Sequence, residues 1–196
     1  MAEEMQLYEK ICNDLVVLKD TSEMMMDLAY SALLLNSRQL AEEVLMLEDR
    51  VDRLHTEFEL LVLSTKERSD IARGLLGLIR MGVVTERIAD AAAEIAEVVI
   101  RSGEPHPVLR MVIQDAEETV EKVVVKEGSS LVGKTLKEAR IPEETGMWVL
   151  VIRRGDRWIR PRPTSTIQAG DVFVVSGYAE GEEDLINLAS GKTTKL

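Results

Sequence analysis

The second quarter of the chain carries an uninterrupted apolar repeat that restricts what it can fold into. Seven apolar residues alternate spacings of three and four, namely Leu40, Val44, Leu47, Val51, Leu54, Phe58 and Leu61. This pattern predicts a helix over Arg38–Ser64 with one seam, packed at a shallow angle as in bundles and coiled coils. The sequence therefore predicts an all-α antiparallel bundle at this end of the chain.

Three further helices are predicted around this one. A first helix covers Glu4–Leu35, with a stripe at Tyr8, Ile11, Leu15, Leu18, Ser22, Met25, Ala29 and Ala32. A third covers Lys66–Arg101, with a stripe at Met81, Val84, Ile88, Ala91, Ile95 and Val98. A shorter fourth covers Pro107–Lys122. Short connections make sequential helices antiparallel neighbours.

A homodimer through this half is also predicted, because many apolar residues lie outside these stripes. They are Leu33, Leu34, Leu45, Met46, Leu60, Val62, Leu76 and Ile79.

The last part of the chain follows a different pattern. It contains most of the glycines and short runs of β-branched residues. These predict strands over 121–126, 147–152, 157–160 and 171–176, the second of them buried on both faces, with helices over 131–138 and 180–189. Turns that favour glycine are expected at Gly155 and Gly170. The fold class is therefore a helical bundle over residues 1–119 followed by a small α/β domain over residues 120–196.

Composition excludes several classes of function. The net charge is −11, and nucleic-acid binding depends on Lys and Arg that neutralise phosphates, so no nucleic-acid partner is expected. No apolar run approaches the roughly 20 residues that span a bilayer, and the acidic N-terminus is unlike a signal peptide, so we expect a cytoplasmic protein without membrane insertion. The single cysteine, Cys12, allows no internal disulfide, and its place beside Ile11 predicts a buried structural thiol.

Two acidic pairs on the predicted helices have the spacing of a metal site. Glu48 and Asp52 are four residues apart on the second helix, and Glu86 and Asp90 are four apart on the third. Like charges at this spacing repel unless a cation lies between them. Antiparallel packing can bring the four carboxylates together as oxygen ligands, with His55 as a possible nitrogen ligand. The alternative is that these carboxylates are solvated, or paired with neighbouring arginines.

Residues 128–135 satisfy G-x-x-x-x-G-K-[ST], the pattern of a phosphate-binding P-loop. The interior of this segment is Leu131-Val132, which is apolar where a phosphate cradle needs small residues. No later strand ends in an acid placed to hold magnesium. A P-loop phosphohydrolase is therefore the least favoured function, and no nucleophile with a paired base indicates another enzyme.

The helical half resembles PhoU proteins. The strings EEVLMLEDRVDRLHTEFELLVLS and TERIADAAAEIAEVVI are similar to the second and third helices of a PhoU repeat, which carry E/D-x-x-x-D motifs. The matching residues here are Glu48 and Asp52, then Glu86 and Asp90. The resemblance implies that these residues bind a multinuclear metal cluster, with a divalent ion, iron or zinc as the metal. PhoU proteins carry two such repeats and this chain one, so a dimer would restore the six-helix arrangement.

The α/β half resembles the C-terminal domain of TrkA and RCK regulators over nearly its whole length. The similarity rests on the segment Glu127–Leu136, on Pro142 and Gly146, on Arg153-Arg154-Gly155, on Pro161 and Pro163, and on Gly170-Asp171. It implies a domain that dimerises and binds a small ligand, in some bacterial members cyclic di-AMP. An arginine-rich segment pairs well with phosphate. The ligand-binding residues predicted here are Val149, Leu150, Arg153, Arg154, Pro161, Arg162 and Pro163; the alternative is an exposed hairpin paired with Glu143 and Glu144.

Two functions follow from these resemblances. The first is a non-enzymatic regulatory protein linked to potassium or other cation transport, which senses a ligand and acts on a membrane transporter or channel subunit. The second is a PhoU-like, metal-binding regulator of phosphate signalling, in which the α/β half serves oligomerisation.

Overall fold

The computed structural model describes residues 2–65, 72–102, 107, 108, 111 and 118–192. The chain divides into two compact units, Met1–Gly103 and Glu104–Leu196. The first is helical, and the second is built on an antiparallel sheet, as the sequence predicts. The predicted domain limits, 1–119 and 120–196, remain a prediction.

The helical unit consists of α1 (Ala2–Leu34), α2 (Arg38–Leu63) and α3 (Ala72–Ser102), and each helix contacts the other two. Ser37 caps α2, because its side chain accepts a hydrogen bond from the backbone N–H of Leu40. Asn36 turns the chain with a positive φ of 45°. The bounds of α1 and α2 confirm the sequence prediction to within two residues.

The inward faces of α1 and α2 are close to the predicted stripes. On α1 the buried members of the stripe are Ile11, Leu18, Ser22, Met25, Ala29 and Ala32. On α2 they are Leu40, Val44, Val51 and Phe58. Among the predicted outer residues, Met46 and Leu60 are exposed, whereas Val62 is fully buried, which corrects its predicted place on an outer surface.

The predicted inward face of α3 is wrong. Met81 and Val84 are 55% and 52% exposed, and Ile88 and Val98 are also exposed. The face that packs inside consists of smaller residues, namely Gly82, Thr85, Ala89, Ala92, Ala96 and Val99. At Gly82 a Cβ atom would lie 2.8 Å from Cε1 of Phe58, so α2 and α3 pack too closely there for a side chain. The helices approach through small residues, and the larger residues remain outside.

Two other predictions in this half need correction. The fourth helix was expected to reach Lys122, but Glu118–Val124 is strand β1, whose β-branched residues favour a strand and in which Val120 and Val123 are buried. Residues 107, 108 and 111 are helical, and the rest of that prediction up to 117 lies outside the described residues, as do 66–71 of the third helix. Cys12 is exposed rather than buried, because it lies one residue beyond the inward-facing Ile11.

The described residues of the second unit form a four-stranded sheet in the order β1-β4-β2-β3, with every pair antiparallel. After β1 come α4 (Leu136–Ala139), α5 (Ile141–Thr145), β2 (Met147–Arg154), β3 (Arg157–Ile159), β4 (Val172–Tyr178), the 3₁₀ turn Ala179–Gly181 and α6 (Glu182–Ser190). The helices pack on one face of the sheet. The core there includes Met147, Ile152, Phe173, Val175, Leu185 and Leu188.

Several local features follow the sequence prediction, and others depart from it. Gly155 and Gly170 have positive φ, as their turns predict. The predicted helix over 131–138 is a turn followed by the short α4, which Thr135 and Glu138 stabilise as a capping box. The strand 147–152 is buried on both faces only at its end, where the adjacent Val151 and Ile152 are fully buried. At its start Trp148 is exposed, and the pairing of β2 with β4 shifts between Val149 and Val151.

A buried ion pair closes this unit. The Arg154 guanidinium donates two hydrogen bonds to the carboxylate of Asp171, at 2.7 and 2.8 Å, and a third to the carbonyl oxygen of Thr166. Asp171 is fully buried, and it also accepts a bond from the backbone N–H of Gln168. Hydrogen bonding to Asp171 raises the pKa of Arg154 above its ordinary value. The fork fixes the end of β2 against the residues that precede β4.

Replacing Arg154 should therefore destabilise the α/β unit. We expect Arg154→Ala to lower its free energy of unfolding by about 3 kcal/mol, because the Asp171 carboxylate would stay buried without its partner. Both tryptophans of the chain belong to this unit, so urea unfolding followed by tryptophan fluorescence reports on it. The control is Arg157→Ala, at an exposed site, where a change within about 0.5 kcal/mol is expected. Equal losses in the two variants would contradict the role of the pair.

Candidate functional site

A surface cavity of about 410 Å³ lies beside the first half of β2, which is within the range of small-molecule sites. The segment after β3 and the two short helices form its other walls. The lining residues are Leu136, Lys137, Ile141, Pro142, Glu143, Trp148, Val149, Pro161, Arg162 and Pro163.

The cavity exists because β3 is short. It pairs only with Ile152–Arg154, so it does not continue along Met147–Leu150. The chain leaves the sheet at Pro161 and is held against α4 instead. There the backbone N–H of Lys137 donates to the carbonyl oxygen of Pro163 at 3.0 Å. The two prolines have no N–H to extend the sheet, so a groove is left between this segment and β2.

The lining combines an apolar wall with both signs of charge. Trp148 is 51% exposed and offers the face or edge of a large ring, and the three prolines provide rigid apolar surface. Lys137 and Arg162 supply cations, and Glu143 supplies one carboxylate. A ring system that carries phosphate suits this combination, since rings pack on aromatic side chains and guanidinium forks pair with phosphate.

Four of the seven predicted ligand-binding residues line the cavity, namely Val149, Pro161, Arg162 and Pro163. The other three do not. Leu150 lies at the shift in strand register, Arg153 lies over the ring of Trp158 at 5.7 Å from its centroid, and Arg154 is engaged by Asp171. The alternative, a pairing of the arginines with Glu143 and Glu144, is replaced for Arg154 by a pairing with Asp171. That the four lining residues bind a ligand remains a prediction.

Sequence reasoning missed the other walls of the cavity. Trp148 was read as part of a strand buried on both faces, and α5 was not predicted at all. The signal for α5 was present in Pro142, which suits a first helical turn, and in Gly146, which ends the helix with a positive φ of 68°. Lys137 follows the cap of α4, and only the fold brings it to the same groove as Arg162.

The segment that satisfies the P-loop pattern is a folded turn. Leu131 is fully buried, and Ser129 accepts a hydrogen bond from its backbone N–H. The N–H groups of Val132, Gly133 and Lys134 donate to carbonyl oxygens of Ser129, Ile167 and Leu131. A phosphate cradle needs such groups free, so this segment gives no support to a phosphohydrolase.

The predicted acidic pairs converge in the helical unit. One carboxylate oxygen each from Glu48, Asp52 and Asp90 lie within 4.8 Å of one another. Glu86 does not belong to this closest group, although its charge acts on Glu48. The antiparallel contact of α2 and α3 thus brings residues of both motifs together. We call Glu48, Asp52 and Asp90 the acidic cluster.

Burial and mutual repulsion act on these carboxyls. Burial raises the pKa of Glu48, and the charges of Asp52, Asp49, Asp90 and Glu86 raise it further. Burial and then Asp90 raise the pKa of Glu86, while His55 and Arg87 act in the opposite direction. A carboxyl whose pKa is higher in the folded than in the unfolded protein adds to the free energy of unfolding at low pH. This contribution is complete below the unfolded pKa of about 4.5, and it is lost as the pH rises through the folded pKa.

His55 lies beside this site. Its Nε2 atom is 3.5 Å from Oε1 of Glu59, and it makes no hydrogen bond within the described part of the chain. Its Cδ2 atom is near Gly82, at 3.3 Å from where a Cβ would stand. The acidic cluster that the structure forms has oxygen ligands only, so a role for His55 as a ligand remains a prediction.

None of the described helices is both long enough and apolar enough to cross a membrane.

Neutralising one carboxylate of the acidic cluster should stabilise the metal-free bundle. We expect Asp90→Asn, in the presence of a chelator, to raise the free energy of unfolding by a few tenths of a kcal/mol at pH 7, because it removes repulsion on Glu48 and Glu86. Near pH 3 Glu48 and Glu86, whose pKa values are raised, are protonated, and the gain should vanish. Helical circular dichroism during denaturation measures this, with the exposed Glu57→Gln as control. A loss at pH 7, or a gain that persists at pH 3, would refute it.

Comparison with known proteins confirms both resemblances. The PhoU domain model matches residues 15–99, and the TrkA-C domain model matches residues 120–190. The chain is 35% identical over 91 residues to "Probable potassium channel protein 2" of Methanocaldococcus jannaschii, which is 45% of this chain and 26% of that protein. It therefore spans about a quarter of the length of this curated relative.

Two solved structures are also similar to part of the chain. One is the RCK C domain of the potassium transport protein KtrA with cyclic di-AMP, at 20% identity and a TM-score of 0.35, covering 41% of this chain and 93% of that one. The other is the RCK_C dimer of S. agalactiae BusR with cyclic di-AMP, at 26% identity and a TM-score of 0.32, covering 35% and 96%. From the two family models, the chain carries a PhoU domain in its helical unit and a TrkA-C domain in its α/β unit.

Proposed function

We propose that this chain is a non-enzymatic regulatory protein of potassium or other cation transport, and that its TrkA-C domain senses a small ligand. The observation that carries the proposal is the cavity beside β2, in which Val149, Pro161, Arg162 and Pro163 lie together with Trp148 and Lys137. The similarity of the chain to part of a potassium channel protein supports the link to cation transport.

The ligand we propose is a cyclic dinucleotide. A base would pack on the ring of Trp148 and on the proline wall, and the phosphates would meet Lys137 and Arg162. Cyclic di-AMP is the ligand named for the KtrA and BusR domains, so it is the first probe to use. Since this nucleotide is itself two-fold symmetric, a homodimer of the TrkA-C domain would bind one molecule between two cavities.

The bound ligand would act on a separate partner. We propose that this partner is a membrane cation transporter or channel subunit, and that the chain works on its cytoplasmic side. Ligand binding can change the activity of such a partner only if it favours one arrangement of the regulator over another. Closure of two copies around one ligand would provide that difference.

Titration calorimetry of the full chain with cyclic di-AMP tests this proposal. We expect binding at one nucleotide per two chains, and affinity reduced at least about tenfold in both Arg162→Ala and Trp148→Ala, because charged and stacking contacts are each worth roughly 1–3 kcal/mol. Arg157→Ala is the matched control, since Arg157 lies on β3 but not in the cavity. Absence of binding, or an equal loss in the control, would refute the site.

The acidic cluster favours a second candidate function. In this alternative the chain is a PhoU-like, metal-binding regulator of phosphate signalling, and the α/β unit serves oligomerisation. Glu48, Asp52 and Asp90 present carboxylate oxygens close enough to share one cation. Oxygen-only ligands suit a hard or borderline ion such as manganese or iron(II), and zinc also binds carboxylates.

Metal binding has a distinct test. Manganese, iron(II) or zinc should raise the midpoint of thermal unfolding at pH 7, where repulsion between the carboxylates is greatest, and should have little effect near pH 4. Asp52→Asn should remove the increase. Asp49→Asn is the matched control, because Asp49 neighbours Glu48 but lies outside the acidic cluster. An increase that survives Asp52→Asn, or no bound metal by elemental analysis, would count against this function.

A further inference from the structure

The outer face of α3 carries a continuous apolar stripe. Its members are Met81, Val84, Ile88, Ala91, Ile95 and Val98, and all except the half-buried Ile95 are exposed. Such a row is unusual on a monomer, because exposed apolar residues normally occur singly and a connected patch marks an interaction surface. We call these six residues the α3 stripe.

The spacing of the α3 stripe indicates what kind of partner fits it. The intervals are three, four, three, four and three residues, which is the heptad pattern of a helix that pairs with another helix through knobs and holes. The stripe is about 26 Å long at 1.5 Å rise per residue. A helix with a matching heptad face is therefore the expected partner, and the chain itself offers one.

We propose that two copies of this chain associate through the α3 stripe, with their α3 helices antiparallel about a two-fold axis between positions 89 and 90. The intervals read the same from either end, so this axis brings each member opposite another member. Met81 meets the partner's Val98, and Val84 meets the partner's Ile95. At the centre, Ile88 meets the partner's Ala91, which places a large residue opposite a small one.

The charges beside the α3 stripe select this orientation and a second copy as occupant. Exposed residues flank it on one side in the order Arg80, Arg87, Glu94 and Arg101. In the antiparallel pair this row faces itself, so that Arg87 lies beside the partner's Glu94, twice by symmetry. Arg80 likewise comes near the partner's Arg101, but Arg101 is already paired with Glu97 of its own helix. In a parallel pair the row would face the other flank of the partner's stripe, where the uncharged Ala92 is already buried in its own bundle.

The interface leaves the acidic cluster accessible. At 100° per residue, Glu86 and Asp90 lie about 160–200° around α3 from Ile88, which is the opposite side of the helix. The interface is also independent of the cavity in the TrkA-C domain. Failure of the proposed ligand site would therefore not affect this inference, and the reverse is also true.

Disulfide trapping of the full chain tests the arrangement. In a Cys12→Ser background, the double variant Met81→Cys/Val98→Cys should form a covalent dimer under mild oxidation, and each single variant should not. The two positions are about 26 Å apart within one helix, so the bond can form only between chains. Mass spectrometry should find peptides that join positions 81 and 98. The control is Leu60→Cys, which is exposed on α2.

Each outcome decides the matter. Cross-linking of the double variant alone supports the proposal. Efficient cross-linking of Met81→Cys by itself would indicate a parallel pair and overturn the proposal. Cross-linking of Leu60→Cys at the same rate, or no cross-linking in any variant, would also overturn it.

A charge exchange gives independent evidence without new cysteines. Arg87→Glu and Glu94→Arg should each weaken self-association roughly tenfold, and the two together should restore it; a double variant no better than the single ones would overturn the pairing.

Discussion

The buried fork between Arg154 and Asp171 is the interaction on which the α/β unit and its cavity depend. It joins the end of β2 to the residues that enter β4, and it also binds the carbonyl oxygen of Thr166. The chain between these points leaves the sheet and forms the proline wall of the cavity. The fork fixes both ends of that excursion, and the backbone N–H groups of Leu136 and Lys137 hold its middle by donating to the carbonyl oxygens of Ser165 and Pro163. An internal ion pair thus helps to position a surface site.

The helical unit depends on a different constraint, the small residues on the inner face of α3. Because Gly82 and the alanines that follow it allow close approach, the carboxylates of α2 and α3 come within reach of one another. The same choice displaces the larger residues to the outside, where they form the α3 stripe. The acidic cluster and the α3 stripe thus both follow from the small residues on the inner face of α3, and they lie on opposite sides of that helix.

The sequence was sufficient for the large features and insufficient for several local ones. Periodicity predicts the length of α1 and α2 and the inward face of each, because their stripes are the most apolar side available. For α3 periodicity finds the stripe, but it cannot decide whether that stripe or the row of small residues faces inside. Arg153 and Arg154 are adjacent on a strand and point to opposite faces, and only the fold shows that Arg154 meets Asp171, 17 residues away.

The two tryptophans provide the most direct test of the proposed ligand site. Trp148 lines the cavity, whereas Trp158 lies under Arg153 and outside the lining. In a nitrogen-15 NMR titration of the full chain with cyclic di-AMP, we expect the indole N–H signal of Trp148 to shift and that of Trp158 to shift little. A shift of Trp158 alone, or no shift of either at saturating nucleotide, would contradict it.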